Sequence, residues 1–268
     1  MPRIDVGKIT LNYVEEGTGE PLLFIPGLVG LHDAWDYQVA HFSSQYRCIT
    51  FDHRGAGDSD KPVGSEHYST QIIAEDVVRL LDVLGIEKVT AFGTSTGGCV
   101  LQNLALDFPG RVSRCIFSNT WTKADVYVQR VQTLRKWIAQ AYGADAYVEF
   151  SSILTNGPMQ FRYHLDKVMK IEKRSKQTIG SVDLIAARID MTLTHDRLAD
   201  LHRIDRPSLI IGTHDDATVP AYFSDDLHAA IKGSTLVILP EGGHYSYRRN
   251  SDEWNAIVGK FLVETRPS

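Results

Sequence analysis

The stretch Lys88-Val89-Thr90-Ala91-Phe92-Gly93-Thr94-Ser95-Thr96-Gly97 decides how this chain folds. Its first five residues form a continuous, mostly apolar run, which predicts a strand covered on both faces. The run meets a glycine, and helix-like apolar spacing follows over 97–108, so Ser95 falls at a sharp strand-to-helix turn. Such a turn strains the serine backbone and presents its hydroxyl above a sheet. Glycines are needed at 93 and 97 because neighbouring chains pass too close there for a Cβ.

Similar runs at 22–26, 46–50, 111–117, 207–212 and 234–240 predict further strands, and residues 4–16 alternate like an antiparallel hairpin. Helical spacing recurs at 71–84, 97–108, 221–231 and 252–263. Short strands alternating with helices predict an α/β fold with a mostly parallel, eight-stranded sheet. The interval 119–205 departs from that rhythm, with several helical segments and no convincing strand. It reads as a helical cap inserted before the last two strands, leaving 1–118 and 206–268 as the core.

A chain of 268 residues with 43% hydrophobic and 23% charged residues can bury a core without disulfides or metals. A net charge of -5 argues against nucleic acid or an anionic membrane as the main partner. The cap interval 120–205 holds 13 Lys and Arg against 10 Asp and Glu, so it is weakly basic over an acidic core. No apolar run approaches the roughly 20 residues of a spanning helix, and the opening MPRIDVGKIT lacks the apolar segment of a signal peptide. Cys48, Cys99 and Cys115 all sit in apolar contexts and read as buried free thiols, which fits a cytoplasmic protein.

A serine hydroxyl is a poor nucleophile unless a base takes its proton and an acid orients that base. After the strand at 207–212 comes Thr213-His214-Asp215-Asp216, and after that at 234–240 comes Glu241-Gly242-Gly243-His244. Serine, carboxylate and histidine thus occupy successive strand ends, in the chain order known for strand–turn–helix serine sites. The residues alone leave Asp215 and Asp216 as alternatives. His214 reads as a loop residue, since no partner stands at metal-ligand spacing.

Two more segments carry a resemblance: Phe24-Ile25-Pro26-Gly27-Leu28-Val29-Gly30 and Asp52-His53-Arg54-Gly55-Ala56-Gly57-Asp58-Ser59. With the serine turn and the glycine–histidine loop, they make the chain similar to the α/β-hydrolase superfamily over essentially its whole length. The resemblance implies Ser95 as nucleophile, His244 as general base and, three residues beyond Gly212, Asp215 as the orienting acid. It leaves Asp216 as a helix-cap or loop residue. It also implies an oxyanion hole from the backbone N–H groups of Leu28 and Thr96, and a loop-tying role for Arg54. Many members carry histidine where this chain has Pro26, but the implied donors are backbone groups and survive that change. Many also carry histidine where this chain has Thr94, a position that the resemblance implies points away from the reaction.

Finer likenesses point to a substrate class. Ser118-Asn119-Thr120-Trp121-Thr122-Lys123 and Gly212–Asp215 resemble 3-oxoadipate enol-lactonases, and Gly143-Ala144-Asp145-Ala146-Tyr147-Val148-Glu149 resembles aminoacrylate hydrolases. They imply hydrolysis of a small ester or lactone through an acyl-enzyme, on a substrate that carries a carboxylate. The alternatives are a C–N or C–C bond hydrolase of a small carboxylate metabolite, or a non-catalytic small-molecule receptor. No cofactor or metal is called for, and a monomer or homodimer is expected. Trp121 and Arg130 are the candidate substrate contacts. Tyr127, Trp137 and Phe161 are expected in the cap core, and Arg248 and Arg249 on the surface at the start of the final helix.

Overall fold

The computed structural model describes residues 2–266. The apolar runs become β1 (Arg3–Asp5), β2 (Thr10–Glu16), β3 (Glu20–Ile25), β4 (Tyr46–Phe51), β5 (Val89–Thr94), β6 (Val112–Ser118), β7 (Ser208–Thr213) and β8 (Thr235–Leu239). They join in one sheet of order β1-β2-β4-β3-β5-β6-β7-β8. β2 pairs antiparallel with β1 and β4, and the remaining pairs are parallel.

Helices α1 (Asp36–Phe42), α2 (Thr70–Val83) and α3 (Thr96–Asp107) cross between the first strands. Three more, α4 (Val126–Tyr163), α5 (Leu165–Thr178) and α6 (Val182–Leu193), lie between β6 and β7. The chain closes with α7 (Tyr222–Ala230), the single turn α8 (Ser246–Arg249) and α9 (Ser251–Glu264). Hydroxyl or carboxylate side chains start three of these helices: Ser69, Asp125 and Ser181 accept the N–H of Ile72, Val128 and Leu184.

Side chains alternate across the sheet, so each central strand feeds two cores. On β3, Leu23 and Ile25 pack with Val77, Leu80, Leu101 and Leu104 on one face. Leu22 and Phe24 pack with Trp35, Trp254 and Phe261 on the other. Phe24 stacks on Phe92 with ring centroids 4.4 Å apart. Burying each such side chain contributes about 1.5–3 kcal/mol, which is why these runs are continuous rather than alternating. The three cysteines are buried and unpaired.

The turn after β4 fixes the loops beneath the site. The buried Asp52 carboxylate accepts from His32 N–H and Asn12 Nδ2, and Arg54 grips Asp76 of α2 through two 2.6 Å bonds. Arg54 also donates to the carbonyl of His67, so it does tie loops together.

Among the described residues, the interval between β6 and β7 contributes no strand to the sheet. α4 is a set of helical pieces broken at Gly143 and Gly157, where φ is 89° and 68°. Tyr147, Val148, Ile185 and Ile189 form the inserted helices' own core and pack on Leu28 and Val29. The aromatic residues expected in that core are elsewhere: Tyr127 is 39% exposed, Trp137 is 62% exposed and Phe161 is half-buried. Aromatic character alone does not choose the inward face, because apolar surface is plentiful on folded proteins.

Candidate active site

Ser95 sits between β5 and α3 with φ 52° and ψ −124°, a conformation that costs a non-glycine residue about 1–3 kcal/mol. Its surroundings impose that geometry. The Ser95 N–H donates to Ser118 O at 3.0 Å, and its carbonyl accepts from Gly98 N–H and from Thr120 Oγ1 at 2.7 Å. A Cβ on Gly93 would stand 2.4 Å from Gly97 O, and one on Gly97 would stand 2.3 Å from Ile25 O. Both glycines are required by close backbone approach, as the spacing predicts.

His244 lies on the loop after β8 and is buried. Its Nδ1 is 2.8 Å from Asp216 Oδ2. Since an ionised carboxylate only accepts, Nδ1 donates and the Nε2 lone pair is left to act as a base. The same Asp216 oxygen accepts from Asn119 Nδ2 at 2.8 Å, and its other oxygen takes the N–H groups of Thr218 and Val219. Four donors therefore hold this buried carboxylate in one orientation.

Asp215 is the correction. It is exposed, and its oxygens accept the N–H groups of Gly242 and Gly243 at 3.3 and 2.7 Å. It braces the histidine loop without touching the imidazole's Nδ1. The cause is where β7 ends: Thr213 still pairs with Leu239, so the turn begins one residue later than the glycine suggested. Three residues beyond the last paired residue is Asp216. Asn119, absent from the expected site, is the other support, and its φ of 46° marks it as a specialised position.

Ser95 and His244 line one cavity of about 160 Å³ together with Gly27, Leu28, Gln132 and Arg135. Thr96 occupies the first position of α3, where a backbone N–H has no acceptor inside the helix. A Cβ built on Gly27 would lie 3.9 Å from Ser95 Oγ, so the loop 27–30 passes directly by the serine.

The two expected substrate contacts are not in this cavity. Trp121 is fully buried with Cys99, Val128, Val219 and Phe223, and Arg130 is exposed on α4. A residue just past a strand end can turn either toward the site or under the next helix, and Trp121 takes the second course. Charged residues that do line the cavity include Asp33, Arg135, Arg174 and Arg248. Arg248 is therefore not a simple surface residue: it donates to the carbonyls of Asp33 and Ala34. Arg249 is also half-buried, donating to Gly242 O, Thr155 O and Asn156 Oδ1.

A mostly parallel sheet with a strained serine and a carboxylate-held histidine at the carboxyl ends of its parallel strands defines the class of fold and site. Residues 20–248 match the family model for the alpha/beta hydrolase fold, and the chain belongs to that family. A protein of Variovorax paradoxus provisionally named carbamate hydrolase RutD is 32% identical, over 91% of this chain and 92% of its own. One of the same name from Azorhizobium caulinodans is 29% identical, over 98% and 99%. The solved enol-lactonase of Burkholderia xenovorans superposes with a TM-score of 0.90 at 23% identity, over 98% of this chain and 100% of that one, a likeness of fold.

Proposed function

We propose that this hydrolase cleaves a small carboxylic ester or lactone through an acyl-enzyme on Ser95. His244 takes the serine proton as Oγ attacks the carbonyl carbon, and Asp216 orients and stabilises the imidazolium. The backbone N–H groups of Leu28 and Thr96 receive the developing oxyanion, a contribution of about 3–4 kcal/mol per well-placed donor. The proton on His244 passes to the leaving oxygen. Water then attacks the acyl-enzyme with His244 again as base, which restores the free serine. The inserted helices 119–205 act as the lid over this reaction. The observation that carries the reading is the 2.8 Å contact of His244 with a four-donor carboxylate, beside a strained serine in the same cavity.

A second reading, hydrolysis of a carbamate, is supported by relatives of that name spanning nearly the whole chain. The same three side chains serve either carbonyl, since they specify acyl chemistry and not the leaving group.

The test is turnover of 4-nitrophenyl acetate by wild type and Ser95→Ala, with a fluorophosphonate mass adduct sought at Ser95. Loss of turnover and of the adduct in Ser95→Ala is expected, and undiminished turnover would falsify the mechanism. A panel of lactones and carbamates, read by acid release and by ammonia release, separates the two readings. An unlabelled Ser95 with no turnover of any ester would instead favour the receptor role.

A further inference from the structure

Arg135 projects from α4 and is 5% exposed, yet it lines the cavity that holds Ser95 and His244. Its protein partners are all neutral: Nε donates to Ser151 Oγ at 3.1 Å, Nη1 to Gln132 Oε1 at 2.9 Å and Nη2 to Tyr147 OH at 2.9 Å. The guanidinium also lies over the Tyr147 ring, 5.1 Å from its centroid. No carboxylate stands within ion-pair distance of it among the described residues. A buried charge is expensive unless an opposite charge compensates it, and neutral partners supply only part of that compensation.

Arginine has five N–H donors in a planar fork. Three are engaged as above, which leaves one on each terminal nitrogen for a ligand. Two adjacent N–H groups match the two oxygens of a carboxylate. The other charges of the cavity do not meet this demand. Asp33 is already paired with Arg174, while Arg248 gives Nη1 to two backbone carbonyls, covers the Tyr37 ring and is only half-buried, so its remaining donors can reach water. Behind the loop 27–30, Arg188 is a second buried guanidinium with no ion pair among the described residues, its Nη2 close to Gly30. Burial brings its pKa down to about 10. Of the charged residues lining the cavity, Asp33 is matched by Arg174, and Arg135 and Arg248 remain, so the lining is net positive.

We propose that Arg135 is the specificity-determining residue of this cavity: it binds the ionised carboxylate of the substrate and so sets the preference for acyl compounds that carry one. This rests on the Ser95 acyl-transfer reading and adds the residue that anchors the substrate's carboxylate. Gln132, which orients Arg135, also lines the cavity and shares in recognition as a positioning residue.

The experiment compares mono-4-nitrophenyl esters of succinate, glutarate and adipate with the neutral 4-nitrophenyl butanoate. Wild type should prefer at least one anionic ester by kcat/KM. Arg135→Gln should lower the anionic-to-neutral ratio by about 10- to 150-fold, the range for a hydrogen bond to a charged group. Arg248→Gln should move that ratio less than Arg135→Gln does. An unchanged ratio in Arg135→Gln, or a larger drop in Arg248→Gln, overturns the assignment. Should Arg135→Gln not fold, protection of wild-type Ser95 from fluorophosphonate labelling decides: glutarate should protect and glutaramide should not, and equal protection or none overturns it. Ser95→Ala loses both esters if the acyl-enzyme reading holds, so failure of that reading shows there and not in the ratio.

Discussion

Asp216 Oδ2 meets His244 Nδ1 at 2.8 Å, while the adjacent Asp215 turns both oxygens to the backbone of Gly242 and Gly243. Two neighbouring carboxylates therefore hold one loop in different ways, one through the imidazole and one through the main chain. Asp216→Asn should lower kcat for an ester by about 10³–10⁴-fold, because the amide no longer fixes the working tautomer. Asp215→Asn keeps an acceptor oxygen for the glycine N–H groups and should cost under about tenfold, roughly 1 kcal/mol of barrier. Kinetics of the two variants check this, and a larger loss in Asp215→Asn would contradict the geometry.

The glycines of the serine turn are predicted to be intolerant for a reason that is local. A Cβ on Gly97 would meet Ile25 O at 2.3 Å and Pro26 O at 2.5 Å, and backbone cannot swing aside as a side chain can. Gly97→Ala should cost at least about 1–3 kcal/mol, a fall in Tm of roughly 2–12 °C. Gly259 in α9 has nothing within 4 Å of a built Cβ, so Gly259→Ala should gain about 1 kcal/mol of helix propensity. Calorimetry should give opposite signs for the two; equal shifts would mean the turn relaxes.

Acid should weaken the fold before carboxylates titrate. His53 is fully buried with both ring nitrogens unpartnered among the described residues, and burial depresses its pKa to about 3. Burial likewise lowers His195 to about 4, and its hydrogen bonds with Thr70 and Gln102 suit a neutral ring. A depressed folded pKa means the unfolded chain binds the protons first, so stability is full above about pH 6.5 and is lost as pH falls toward these values. The slope per histidine is about 1.4 kcal/mol per pH unit within that window. Urea unfolding at pH 7 and pH 5 should show the drop, and His53→Leu should reduce it. A flat profile would mean that neither ring stays neutral in the fold.

Thiol chemistry offers a check on the core. Burial pushes Cys48 and Cys115 up to about 12, and Cys99 further still. With the reactive thiolate suppressed, none of the three should react with Ellman's reagent at pH 8 in the native protein. All three should react in denaturant, and fast native labelling of any one would contradict the packing.

Much of this molecule was legible in its sequence for a physical reason. Strands buried on both faces, such as 88–92 and 207–212, read as mostly apolar runs without alternation, and the serine turn must have glycine at 93 and 97. The choice between Asp215 and Asp216 was not legible, because it depends on pairing between Thr213 and Leu239, residues far apart in the chain. The direction of Trp121 is not legible either, because it is set by packing on Val219 and Phe223, contributed from beyond the inserted helices. Arg135 was hidden among the charges of α4; only the packing of Tyr147 and Ser151 against it reveals which face looks into the cavity.

Arg249 joins two parts of the molecule that the sequence keeps far apart. One terminal nitrogen holds Gly242 O in the histidine loop, and the other holds Thr155 O and Asn156 Oδ1 beside the Gly157 break of α4. Swinging the inserted helices outward at that break must either snap this clasp or drag the imidazole's loop along. One guanidinium thus makes the position of the histidine loop depend on that of the helix segment beside Gly157.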